Sequence, residues 1–456
     1  MQERIRAALK GSKADYTEIR WEERESTTVA FRGRELETAS AVIDAGGIVR
    51  CLCHDGGWGI TTFNSRDDLE ERVEQAYQCA KVVQSREPIR LAPTGVYEDR
   101  VVVPLARDFR GISLADKKAL LEGYNNILLG YSDKIVDTMC RYTDSYRRVL
   151  FANSEGTLIE EEQPAVGLAL SAIAREGSNV QRGLESYAGP GGYELAQGFE
   201  DRALAAARRA VDLLRAETVV GGRYPVVLNP LLAGVFIHEA FGHLSESDFI
   251  YENPKAQEMM VLGRRFGQDI LNVFDDGSLP GLRGTHKYDD EGTPTGRSDL
   301  IKNGILVGRL HSRETAAKMG ERPTGNARAT SYRHAPIVRM TNTAIEGGTT
   351  SFADMIGDIK LGVYACDMVG GNTALEAFSF SSAYAYMIRD GQIAEMVKDV
   401  ILAGNLFTTL QNIDAIGDDF CWAQTAGGCG KGAQHPLPVA MGAPHIRIQN
   451  VVIGGR

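Results

Sequence analysis

"YPVVLNPLLAGVFIHEAFGHLSESD", residues 224–248, decides how this 456-residue chain is read. Its first five residues have the length and apolarity of a buried strand. Asn229 is a favourable N-cap and Pro230 suits the first helical position, so a helix is predicted through residues 231–243. That helix carries His238, Glu239 and His243 on an otherwise apolar surface. Two imidazoles and a carboxylate beside Ile237 and Phe241 need polar partners in a core. The histidines are five apart, whereas the H-E-x-x-H zinc-peptidase signature has them four apart. On a regular α-helix five residues rotate a side chain by roughly 140°, and four leave it only about 40° off. A shared metal therefore requires the helix to depart from regularity. A π-type turn would bring positions five apart toward one face. Alternatively, Gly242 ends the helix in a left-handed conformation and His243 swings back from beyond it.

A catalytic zinc takes three protein ligands and keeps one position open. With His238 and His243 as two, the candidates for a third are Glu246, Asp248, the remote His334, His435 and His445, and a cysteine. Cys429 stands out in "TAGGCGKGAQ", residues 425–434. Glycines on both sides allow close backbone approach, and Lys431 would favour the thiolate. The segment is not a phosphate loop. Thr425 stands where the pattern needs its first glycine, and Gly432 where it needs Ser or Thr.

Around this centre, residues 221–456 read as a β-rich domain in which Asn303-Gly304 and Asp390-Gly391 mark hairpins. "GGNTALEAFSFSS", residues 370–382, has glycines followed by alternation, the pattern of a strand edge that accepts an extended peptide. Residues 1–105 read as an N-terminal α+β domain. It has a helix over 2–10, strand alternation over 15–37 with turns near Glu23 and Gly33, and a hairpin over 46–64 turning at Gly56-Gly57. A helix over 65–84 with Ser65 as N-cap closes it. Residues 106–220 form a middle α+β region: a helix capped by Ser113, strands over 135–174 turning at 154–156, and an alanine-rich helix over 200–217. The fold class is α+β, with a mixed sheet in the N-terminal units and a largely antiparallel C-terminal domain carrying the metal-binding helix.

The net charge of −10 argues against broad electrostatic binding to nucleic acid. Seven scattered cysteines with no C-x-x-C point to a reducing compartment and to small core residues. The N-terminal "MQERIRAALKGSK" lacks the apolar stretch of a signal peptide, and no run reaches membrane-span length. A cytoplasmic protein with no membrane or nucleic-acid partner is expected.

"HEAFGHLSESD" resembles the H-E-x-x-x-H…E-x-D segment of the TldD branch of the TldD/PmbA metallopeptidases. The resemblance continues through "GTHKYDDEGTPTGRSDLIKNGILVGRLHSRETA" and "TGNARATSYRHAPIVRMTNT". It returns in "GGNTALEAFSFSSAYAYMIRDGQI" and "GGCGKGAQHPLPVAMGAPHIRIQNVVIGG". It implies a zinc-dependent peptidase with one zinc on His238, His243 and Cys429, and Glu239 as general base. It also implies a dimer, with a second copy or with a PmbA-type chain that lacks the histidine segment. Peptides or unfolded polypeptide segments are the expected substrates. Glu246 and Asp248 are candidates to orient the imidazoles. Asn326, Arg328, Tyr332 and His334, in one segment, are candidates to bind substrate or stabilise an oxyanion. The competing reading is a non-catalytic regulatory protein, a topoisomerase-linked modulator with a structural metal.

Overall fold

The computed structural model describes residues 2–65, 67–83, 85 and 87–455. From the N-terminus it runs α1 (Gln2–Lys10), β1 (Tyr16–Arg32), β2 (Glu35–Leu52), β3 (Trp58–Phe63), α2 (Leu69–Val82) and β4 (Glu98–Val101). Then come α3 (Leu114–Gly130), β5 (Ile135–Asn153), β6 (Leu158–Glu176), β7 (Asn179–Gly189) and α4 (Glu200–Leu213). All seven strands belong to one sheet, in the order β3-β2-β1-β5-β6-β4 with β7 also on β6. The segments 1–105 and 106–220 are therefore built on a common ladder, antiparallel except where β4 runs parallel to β6.

The turn expected near Glu23 is absent. β1 is continuous, paired with β2 on one side and β5 on the other. Strand alternation explains its dense charge. Ile19, Trp21, Val29 and Phe31 lie on one face, in the cores under α1–α2 and α3–α4. Arg20 and Glu22 lie on the other face, which meets the C-terminal half. Arg20 reaches Glu22 at 3.1 Å and Asp290 at 3.2 Å, and Arg147 reaches Glu22 at 2.6 Å. Arg50 pairs with Glu18 at 2.7 Å and Glu291 at 3.5 Å. Removing one member of such a buried set strands another charge, so the charges hold the two halves in register.

Ser65 does not cap α2 either. The helix starts four residues later, and the Ser65 hydroxyl accepts from the Asp67 amide at 3.3 Å. Arg66 and Gln84, at the edges of the expected helix, lie outside the described residues. The caps at Ser113 and the turns at residues 54–57, 154–156, 303–304 and 390–391 occur as expected.

β7 packs directly on α4. A Cβ on Gly183 would stand 1.8 Å from the Ala206 carbonyl oxygen, and helix backbone cannot yield that distance. Gly183→Ala is expected to cost on the order of 3 kcal/mol, read as a lowered urea midpoint.

Burial also loads the sheet with one protonated acid. Glu161 on β6 is pushed up from 4.5 to about 7, by desolvation first, with Asp290 adding to it. Between those pH values the folded chain holds a proton that the unfolded chain has released, so stability falls as pH rises through the window. Glu161→Gln keeps an acceptor for the Lys287 amide (3.2 Å). It is expected to exceed the native chain in stability at pH 8 by up to about 3 kcal/mol and to show no gain near pH 4.5.

The C-terminal half opens with β8 (Glu217–Thr218), β9 (Gly222–Leu228) and α5 (Pro230–Ile237). Its larger sheet runs from Leu361–Ala374 through β9, Ile446–Gly454 and Ile401–Asn405 to Ala377–Arg389. The last strand pairs back with the first, closing a ring. A six-stranded sheet, in which Asn342–Ile345 and Ala440–Ala443 are the parallel neighbours, lies on the other side of α5. Phe236 of α5 meets Phe378 and Phe380 edge-on, at 5.5 and 6.2 Å between ring centroids. The architecture is α+β, and among the described residues no helix is long and apolar enough to cross a membrane.

The segment 370–382 divides. Ala377–Ser381 is an interior strand, paired on both sides, with Phe378 and Phe380 in the core. Only Gly370–Ala374 keeps one side without a partner among the described residues, because its strand meets β9 only through Val363–Ala365. The edge is thus on the glycine-bearing half.

Candidate active site

Asn229 accepts from the Leu232 amide at 2.9 Å, starting α5 with Pro230 in its first turn. After Ile237 the helix widens. Residues His238–Gly242 form a π-turn in which the His243 amide bonds the His238 carbonyl. Of the two routes open in the sequence, this is the one taken, and Gly242 has ordinary helical dihedrals. Its lack of a side chain makes room for Met340. A Cβ there would stand 2.1 Å from Met340 Sδ, so a larger residue would have to displace that buried side chain. The π-turn brings the two imidazole rings to 5.3 Å between centroids at 80°.

Cys429 arrives from far along the chain. Its carbonyl is held by Arg339 Nη2 at 2.8 Å, and Arg339 is fully buried. Its Sγ lies 3.3 Å from His243 Nε2, and ligand atoms of His238, His243 and Cys429 fall within 4.8 Å of one another. Burial alone would push this thiol up, but His238 and then His243 outweigh it and bring it down to about 5. His243 is itself raised: burial lowers it, and Glu246 and Cys429 more than compensate.

Glu246 is buried and lies 3.1 Å from His243 Nδ1. Burial opposes its charge, yet His243 and Lys431 hold it down at about 2. Lys431 Nζ reaches Glu246 at 2.9 Å and Asp248 at 2.6 Å. The part assigned to Lys431 from sequence, favouring the Cys429 thiolate, thus falls to the two histidines, because the ammonium is spent on two carboxylates. Asp248 also accepts from the Val338 amide at 3.2 Å. Glu239 is 35% exposed, with its carboxylate 3.8 Å from His243 Nε2. It lines a cleft of about 300 Å³ together with His238, Cys429, Arg283, Asp367 and Met368.

His334, His435 and His445 are not in the cluster. His445 pairs with Asp419 and Tyr364, and the His334 backbone carbonyl accepts from Arg20 at 3.1 Å. None of Asn326, Arg328, Tyr332 and His334 lines the cleft. The Asn326 amide is taken by Asp275 and the Arg339 carbonyl, and Arg328 by the carbonyls of Met340 and Pro438. Tyr332 docks on Asn64 and Asp44 of the N-terminal sheet. These contacts brace the segment, and Arg328 also borders a second, larger cavity. Among the cleft-lining residues that the sequence did not single out is Arg283, whose isolated position in a loop gave no spacing signal.

The donor set can be tested against a metal. Two imidazoles and a depressed thiol match what zinc takes, and His238 Nδ1 is buried without a hydrogen-bond partner, as a group kept for another purpose would be. Three family models follow one another along the sequence. They are described as PmbA/TldA metallopeptidase domain 1 (residues 17–80), central domain (107–216) and C-terminal domain (221–455). The chain belongs to the PmbA/TldA metallopeptidase family. Within it, a metalloprotease from Synechocystis is 49% identical over 445 residues, spanning 97% of this chain and 96% of that one. A relative in Saccharolobus solfataricus described as a zinc metalloprotease TldD homologue is 32% identical, covering 69% of this chain and 70% of its own. The fold recurs in a Thermotoga maritima structure solved as a candidate modulator of a DNA gyrase. Its TM-score is 0.81 at 21% identity, with 99% of both chains covered.

Proposed function

We propose that this member of the PmbA/TldA metallopeptidases is a zinc-dependent peptidase acting on peptides or unstructured segments. The carrying observation is the convergence of His238, His243 and Cys429, with Glu239 in the same cleft that His238 and Cys429 line. His238, His243 and Cys429 would hold the metal and Glu246 would orient His243, as partners of ligating histidines do. Bound there, zinc supplies Lewis acidity to the scissile carbonyl and to a water. The chain's own residues do the rest. Glu239, next to a ligand yet open to the cleft, takes a proton from the attacking water and passes it to the leaving amine. Two neutral imidazoles and one thiolate leave about one positive charge with zinc, the balance of a two-histidine, one-carboxylate site.

The unpaired side of Gly370–Ala374 offers main-chain groups to an extended peptide, and Asp367 and Met368 of the same strand line the cleft. Selectivity would then rest on backbone bonds, which favours unfolded segments over folded domains. All seven cysteines are free, so a reducing compartment suits the reading. A dimer, with a second copy or a PmbA-type chain, belongs to it as well.

The test is cleavage of an unstructured peptide by the purified chain, before and after chelation, with zinc added back. Cleavage that disappears on chelation and returns with zinc supports the reading. Activity that survives complete metal removal refutes it.

A further inference from the structure

The cleft at the histidine-cysteine cluster is adjoined by a larger chamber of about 790 Å³ between the N-terminal sheet and the C-terminal half. Arg283 lines both. So does the loop it grips. Thr425 and Gly427 border the cleft while Ala426 borders the chamber. Arg283 Nη1 donates to the Thr425 carbonyl at 2.5 Å and to the Gly427 carbonyl. The guanidinium therefore stands where a peptide leaving the cleft would pass.

Its electrostatic position is unlike that of its neighbours. Arg202 pairs with Glu185 at 3.1 Å, Arg147 with Glu22 at 2.6 Å and Lys287 with Asp99 at 2.5 Å. Arg24 and Arg328 feel nearby carboxylates, Glu22 and Asp290 among them. Among the described cations lining the two cavities, only Arg283 has no ion pair and no attracting carboxylate. Burial is the single cause acting on it, lowering it to about 10. A half-buried cation without a counter-ion is costly, and two carbonyls on one nitrogen leave most of its donor fork unused.

The backbone beneath it is rigid. The Gly284 amide donates to Asn342 Oδ1 at 2.9 Å, and a Cβ on Gly284 would meet the Thr341 carbonyl at 2.2 Å. Asn342 is fully buried and donates in turn to the Asp276 carbonyl at 2.7 Å. A guanidinium fork fixed this way suits bidentate recognition of a carboxylate.

We propose that Arg283 is a specificity-determining residue that binds a carboxylate of the peptide substrate as the chain passes from the cleft into the chamber. The carboxylate is either the free C-terminus or an Asp or Glu side chain. This rests on the peptidase reading above and goes beyond it by assigning the charge of the preferred substrate.

The experiment measures binding, so it does not depend on turnover. Zinc-loaded Glu239→Gln protein is titrated with one unstructured peptide in four forms: free or amidated C-terminus, with internal Asp/Glu or Asn/Gln. Loss of the recognised carboxylate is expected to weaken binding roughly 10–100-fold, and the form that weakens identifies its source. Adding Arg283→Met should abolish the difference, and Arg283→Lys, which keeps charge but not the fork, should retain part of it. The lysine variant covers the case in which the methionine variant fails to fold. Equal binding of all four forms overturns the proposal while leaving the peptidase reading intact, and failure of every form to bind sinks both. With Glu239 present, an Arg283→Lys change that lowers kcat alike for all four peptides at constant KM would place Arg283 at the reacting carbonyl instead, and would also overturn it.

Discussion

Glu239→Gln is expected to lower kcat for peptide cleavage by about 10²–10⁴-fold and to leave the zinc content unchanged. The substitution is nearly isosteric, and it removes only the ability to take and return a proton. Glu239 is not among the clustered ligand atoms, and its side chain opens into the cleft, so its loss does not dismantle the site. Turnover of a defined peptide, with metal analysis on the same sample, checks both halves. A variant that keeps full activity would place the proton transfer on another group. A variant that loses its zinc would make Glu239 a ligand.

Cys429→Ala is expected to reduce zinc affinity by more than about 100-fold, beyond the 10–100-fold expected for Glu246→Gln, which alters only the partner of a ligand. The order follows from the geometry. Cys429 contributes Sγ to the cluster itself, whereas Glu246 acts at 3.1 Å on the far nitrogen of His243. Competition with a chelator of known affinity measures both. Equal losses in the two variants would mean that Cys429 is not a ligand. The fold should survive, since Cys429 enters through a short strand pairing with Leu437 and the Arg339 contact to its backbone, which alanine retains.

Much of this was legible along the chain because it depends on near neighbours. Asn229 and Pro230 start α5, Ser113 caps α3, and the positive-φ pairs at 303–304 and 390–391 turn their hairpins. These are local matters of dihedral angle and capping. The His238–His243 spacing likewise announced that the helix must widen or end, since regular geometry separates the rings.

What the sequence left open are the matters decided by partners distant in the chain. A turn was expected near Glu23, in a run dense with charge. Arg20 and Arg147 pair with Glu22 inside the sheet instead, and Asp290 of the C-terminal half pairs with Arg20, an arrangement made only by packing. Asn326, Arg328 and Tyr332 had the composition of a substrate site, and their polar groups bond to Asp275, to the Pro438 carbonyl and to Asp44, partners far away in the chain. Lys431 lies two residues from the thiol, but its nearest charges are carboxylates from the segment after the π-turn. By itself the sequence determined the α+β class, the strand-cap-helix unit and the identity of the metal-competent residues, because local propensity and donor chemistry travel with the residue. The tertiary structure alone decided that the helix widens into a π-turn, that Cys429 closes the cluster, and that Arg283 stands unpaired between two cavities. Each of these depends on which groups share a small, poorly solvated volume, and no spacing along the chain encodes that.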